Sequence, residues 1–124
     1  MKMAHYKSPE VGQEISCVMK GMEESVFLNK KLLIRLIETT LKKFKFKLLK
    51  TSFHVFQPNG LTLIILLAES HLAIHTYPEH NSLYFNLYSC RGPKDAELVF
   101  EEIKKKLKPR EIIYFKKEEI PITN

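Results

Sequence analysis

Hydrophobic and polar positions change their period several times along the chain, and each change marks an element. Residues 12–20 alternate loosely and predict a strand. Asn29 is placed to cap a helix. Beyond it Leu33, Leu36, Ile37, Thr40, Leu41 and Phe44 recur at helical spacing. Residues 46–56 read as a strand that stops at the turn tetrad Gln57-Pro58-Asn59-Gly60. Residues 61–68 are apolar on both faces, which predicts a central buried strand. Residues 71–77 continue as a strand up to Pro78. In 83–88 the residues Leu83, Phe85 and Leu87 point one way and Tyr84, Asn86 and Tyr88 the other. After the break Arg91-Gly92-Pro93, the residues Ala96, Val99, Phe100, Ile103 and Leu107 mark a second amphipathic helix ending near Pro109. A last short strand, 112–115, precedes a polar tail.

The order β-α-β-β-β-β-α-β with short connections predicts an α+β fold. It would be a two-layer sandwich: a mostly antiparallel sheet with two helices on one face. The other face, rich in Tyr and Phe, would then be open and would take a substrate or a second copy of the chain. With 124 residues, 44% apolar and 27% charged, the chain suits one domain, 1–124, and excludes disorder or a collagen-like repeat. No apolar run approaches the ~20 residues of a membrane span, and the first residues hold no apolar stretch of the kind a secretory signal needs. Two cysteines make no disulfide framework, so a cytoplasmic setting is expected. The net charge of +6 invites a nucleic-acid reading. Most lysines, however, fall on polar helix faces or helix ends without an accompanying aromatic signature, so a solvated surface and no nucleic-acid partner are expected.

The reactive residues concentrate between Thr62 and Cys90. His71 and His75 suggest a metal, but on a strand they stand about 13 Å apart on one face, too far to chelate one ion, so no metal is expected. Ser70 with His75 as base would suit a hydrolase, yet no Gly-x-Ser-x-Gly elbow surrounds the serine. A Cys90–His75 pair has no local signature either. Taken singly, these residues read as a strand-edge serine, a half-buried histidine and a small core cysteine.

Taken together they say more. The run Glu69-Ser70-His71-Leu72-Ala73-Ile74-His75-Thr76-Tyr77-Pro78-Glu79 resembles the self-cleavage signature of the prokaryotic S-adenosylmethionine decarboxylases. That family carries Glu-Ser-His-Leu-(Ser/Thr)-Ile-His-Thr-Trp-Pro-Glu, with a cysteine twenty positions after the serine, where Cys90 stands. Ser52-Phe53-His54, Phe56, Pro58 and Gly60 match as well, and Thr62 falls at the place of a processing serine.

The resemblance implies a proenzyme. Ser70 would attack the Glu69 carbonyl, splitting the chain into a β chain, 1–69, and an α chain, 70–124, headed by a pyruvoyl group made from Ser70. Its ketone would condense with the substrate amine and accept the electrons left when CO2 departs. His75 is implied as a base and Thr62 as a holder of the hydroxyl or carbonyl, while Cys90 would return a proton to the substrate. Glu79 would bond the ribose hydroxyls. Phe56 and Tyr77 would meet the adenine, and Leu72 completes the substrate-binding set. The implied product feeds polyamine (spermidine) synthesis, and the implied assembly is a homodimer of αβ units.

Departures from the family pattern fall mainly in the first strand. Gly12 and Gly21 align, but Glu14, Val18 and Met22 replace a histidine, an acid and a cysteine. Tyr77 stands for tryptophan, and Arg91 interrupts the usual Cys-Gly. Relatives on this scaffold that decarboxylate arginine or ornithine therefore supply an alternative substrate. A non-catalytic paralogue that modulates a partner decarboxylase is the alternative of another class.

Overall fold

The computed structural model describes residues 9–92 and 94–124. The sequence reading of the first eight residues, and Pro93 of the predicted break, lie outside the described residues. In chain order the elements are β1 (Val11–Lys20), α1 (Ser25–Leu28), α2 (Lys30–Lys43), β2 (Leu48–Phe56), β3 (Gly60–Leu67), β4 (Ser70–Tyr77), β5 (Ser82–Ser89), α3 (Asp95–Leu107) and β6 (Glu111–Pro121). A 3-10 turn, Pro78–His80, joins β4 to β5. The six strands form one sheet in the order β2-β3-β4-β5-β1-β6, and every neighbouring pair is antiparallel.

Odd positions of β1, β3 and β5 and even positions of β4 turn to the helices. Ile15, Cys17, Met19, Leu61, Leu63, Ile65, Leu72, Ile74 and Phe85 there meet Leu33, Ile37 and Leu41 of α2 and Val99, Phe100 and Ile103 of α3. Helical spacing of the apolar residues on α2 and α3 supplies the second layer. Asn29 caps α2 as its sequence suggests, its Oδ1 accepting from Leu32 N at 3.1 Å. The two-layer antiparallel sandwich with α2 and α3 on one face is the expected architecture, with the single turn α1 added.

Three expectations need correction. Residues 61–68 do not form a central strand buried on both faces. β3 lies second from an edge, and its open-face residues Ile64 and Leu66 are 41% and 50% exposed, because both long helices cover the other side. The strand expected from residue 46 begins at Leu48. Phe46 instead closes the turn after α2, its N–H donating to Leu41 O at 3.0 Å while its ring enters the core. The supposed polar tail is strand, since β6 pairs with β1 out to Pro121. An edge strand needs no apolar alternation, so its sequence carries little period. Among the described residues no helix is long and apolar enough to cross a membrane.

Candidate active site

The β3–β4 hairpin turns through only two residues, Ala68 and Glu69, because Leu67 pairs directly with Ser70. Ala68 N–H donates to Lys47 O at 3.1 Å, tying the turn to the start of β2. Glu69 takes φ = 65°, a left-handed conformation that costs a residue with a Cβ roughly 1–2 kcal/mol. Strain is thus stored at the residue whose carbonyl precedes Ser70. Ser70 opens β4 on the helix side, as Leu72 and Ile74 do, and is buried. Its hydroxyl oxygen accepts from the backbone N–H of Cys90 at 3.3 Å. One end of the sheet therefore assembles Glu69, Ser70 and Cys90.

The other end assembles a second group. In the β3–β4 ladder Thr62 pairs with His75, on the face opposite the helices. Their side chains meet at 3.2 Å, Thr62 Oγ1 to His75 Nδ1. The His75 ring also lies 5.9 Å from that of Tyr84. Phe56, Thr62, His75, Tyr77 and Glu79 line one cavity of about 330 Å³, which opens where β2, β3 and β4 meet the Pro78–His80 turn. Phe56 and Tyr77 are 52% and 45% exposed there, so two aromatic faces are presented to a planar ligand.

The structure does not join the two groups within one chain. His75 is five residues along β4 from Ser70, about 16 Å at ~3.3 Å per residue, and its side chain points to the opposite face. Leu72, for which the resemblance suggests a substrate-binding role, faces the helices. Its position on the helix side encloses the side chain wholly in the core, at 0% exposure. His71 and His75 each have their own partner, His71 Nε2 lying 3.2 Å from Asn86 Oδ1.

Sequence reasoning missed several residues around these groups. Asn86 donates to Ser16 Oγ at 2.9 Å, and Tyr84 OH reaches the same oxygen at 3.4 Å, so a polar strip crosses the open face between His71 and His75. Tyr88 stacks on His71 and passes over Gly12 so closely that a Cβ there would meet its hydroxyl at 2.3 Å. Only the register between β1, β4 and β5 reveals that strip. Gln13, opposite Ser89 in the ladder, is buried with its Oε1 unpaired among the described residues. A larger cleft of about 600 Å³ lies between α1, α2 and the end of α3, and it holds none of the reactive side chains.

The two cysteines differ sharply. Burial pushes the Cys17 thiol up to about 12, against a smaller opposing pull from the Lys104 charge, whereas Cys90 is half-buried. An alkylating reagent at about pH 8 is expected to modify one thiol per native chain, Cys90, and both after denaturation. Fast labelling of both in the native protein would contradict the packing around Cys17.

A family model described as S-adenosylmethionine decarboxylase matches residues 13–118. The S-adenosylmethionine decarboxylase proenzyme of Pyrobaculum neutrophilum is 34% identical over 85% of this chain and 86% of its own. That of Thermoplasma volcanium is 30% identical over 82% of this chain and 78% of its own. The crystal structure of the adenosylmethionine decarboxylase from Aquifex aeolicus superposes with a TM-score of 0.83 at 27% identity, covering 96% of both chains.

Proposed function

The chain belongs to the S-adenosylmethionine decarboxylase family, and from that premise we propose that it cleaves itself between Glu69 and Ser70 and then decarboxylates S-adenosylmethionine. The observation that carries the reading is the left-handed Glu69 in a two-residue turn, directly before a buried serine whose hydroxyl is held by Cys90 N–H. Ser70 Oγ attacks the Glu69 carbonyl carbon; the peptide C–N bond breaks as the ester C–O bond forms, and the Oγ proton passes to the freed nitrogen, which becomes an amine. A base then removes the Ser70 Cα proton, and the ester oxygen leaves with Glu69 as a carboxylate. One water replaces the nitrogen, which departs as ammonia, and residue 70 becomes a pyruvoyl group.

The residues present fit that group. Glu69 is exposed and the turn lies at the surface, so cutting there opens no core packing, while Ser70 stays sheltered at the head of β4. The pyruvoyl ketone supplies the electron sink for loss of CO2. Cys90, next to Ser70, delivers the proton that replaces the carboxylate. Phe56 and Tyr77 receive the adenine, where the sulfonium charge is attracted to an aromatic face. Glu79 accepts from the ribose hydroxyls. The product supplies aminopropyl groups for polyamine synthesis.

Thr62 and His75 lie far along the sheet from their own Ser70, which supports a site completed by a second copy. Ile64 and Leu66 stand exposed on the open face between the two groups and give the copies an apolar contact. A two-fold axis lying in that interface across the strands reverses their direction. The Ser70 end of one chain then faces the His75 end of the other. The homodimer of αβ units thus acquires a chemical reason.

Intact mass under denaturing conditions tests the reading. Two species of about 8 and about 6.5 kDa are expected, apportioning the chain's 14.6 kDa by residue number. The smaller should be blocked at its N-terminus. A single uncleaved chain after long incubation would replace this reading with that of a regulatory paralogue. CO2 release is expected from S-adenosylmethionine and not from arginine or ornithine.

A further inference from the structure

Arg91, the residue that interrupts the family's Cys-Gly, occupies a position that its sequence neighbours do not explain. Its Nη2 donates to Phe44 O at 2.8 Å, its Nε lies 3.1 Å from Asp95 Oδ2, and its guanidinium sits 4.0 Å above the centre of the Phe46 ring. Phe44 ends α2, so its carbonyl belongs to the negative end of that helix and favours a cation. Asp95 stands in the first turn of α3, where a carboxylate is favoured. One side chain therefore staples the end of α2 to the start of α3, against a ring that is itself buried.

That staple bears on the site at two points. Arg91 follows Cys90 directly, and its own N–H donates to Ser89 Oγ at 3.4 Å, so the bend carrying Cys90 is held from both sides. The segment it grips, residues 44–47, also provides Lys47 O, which receives Ala68 N–H from the turn before Ser70. Cys90 and the Glu69–Ser70 junction are thus referred to one rigid anchor.

We propose that Arg91 is a positioning residue that fixes Cys90 against Ser70, an inference that rests on the self-cleaving decarboxylase reading. A lysine could keep the ion pair with Asp95 but not the fork to Phe44 O together with the stacking on Phe46. The side chain is 31% exposed, so its removal should disturb the site more than the fold.

Two readouts follow in Arg91→Ala, Arg91→Lys and Asp95→Asn proteins. The first is the rate of self-cleavage, which needs no substrate. The second is the fraction of α chain ending in alanine after turnover of S-adenosylmethionine. A proton delivered to the chain rather than to the substrate leaves the substrate nitrogen on residue 70 and releases the decarboxylated substrate carbon as an aldehyde. The resulting alanine is one dalton heavier than pyruvoyl, since NH2 and H replace the ketone oxygen. Arg91→Ala is expected to slow cleavage about tenfold and to raise alanine formation per turnover about tenfold, with KM little changed, a scale set by the ~100-fold cost of a 1 Å misplacement. Arg91→Lys should recover part of both.

A wild-type chain that never cleaves overturns the functional reading and this inference with it. A wild-type chain that cleaves and turns over beside an Arg91→Ala chain of equal cleavage rate and equal alanine fraction overturns the inference alone. If Arg91→Ala melts before it can be assayed, Arg91→Lys and Asp95→Asn carry the comparison, and wild-type values in both overturn it.

Discussion

Replacing Ser70 by alanine is expected to leave one uncleaved 14.6 kDa chain with no decarboxylase activity, an effect limited only by the detection of the assay. Without Oγ the residue that follows Glu69 has no nucleophile for its carbonyl. The fold should tolerate the change. It removes one acceptor, that of Cys90 N–H, whose loss costs about 1 kcal/mol out of the 5–15 that hold a typical domain. A graded counterpart tests the strain. Glu69→Gly lets the turn take its left-handed φ of 65° without a clashing Cβ, so stability should rise by roughly 1 kcal/mol. Cleavage should slow up to about tenfold if that strain is relieved on the way to the ester. Circular dichroism melting and a cleavage time course separate the two. Cleavage of Ser70→Ala at the same bond would sink the mechanism, and an unchanged rate in Glu69→Gly would remove strain from it.

Most of the fold is legible because one face of the sheet is buried. Ile15, Cys17 and Met19 of β1, and Leu83, Phe85 and Leu87 of β5, repeat every second residue because only one side meets the helices. The signal fails where burial fails. Residues 116–121 alternate little because they sit on an edge, and Phe46 looks like strand because an aromatic residue packs equally well in a turn. Ile64 and Leu66 mislead for a different reason: their apolar character belongs to a surface that one chain does not bury. The site follows the same division. Ser70, His75 and Cys90 stand out in the sequence, but their sorting into two ends and two faces of the sheet depends on the length, parity and pairing of the strands, which the motif alone does not convey. Arg91 shows in the sequence only as an interruption of Cys-Gly; its contacts do not show, since Phe44 and Phe46 lie more than forty residues away.

That separation yields the strongest test of the assembly. His75→Ala alone is expected to block cleavage as fully as Ser70→Ala, since neither homodimer holds a complete pair of nucleophile and base. Mixed before cleavage, the two variants form a heterodimer in which the Ser70 of the His75→Ala chain faces the His75 of the Ser70→Ala chain. One of its two sites is then intact. With random pairing at equal amounts, about half of the His75→Ala chains have such a partner. About half should therefore cleave, while the Ser70→Ala chains stay whole. A mass tag on one variant identifies which chain is cut. Adding Leu66→Glu to both chains places charges in the apolar contact, so recovery should disappear as the dimer dissociates. If the mixture stays uncut although the tagged chains are shown to pair, the base comes from elsewhere in the same chain. If His75→Ala cleaves by itself, His75 is not the base. Recovery of the His75→Ala chain alone, and only with its Ser70→Ala partner, would place the site between two copies.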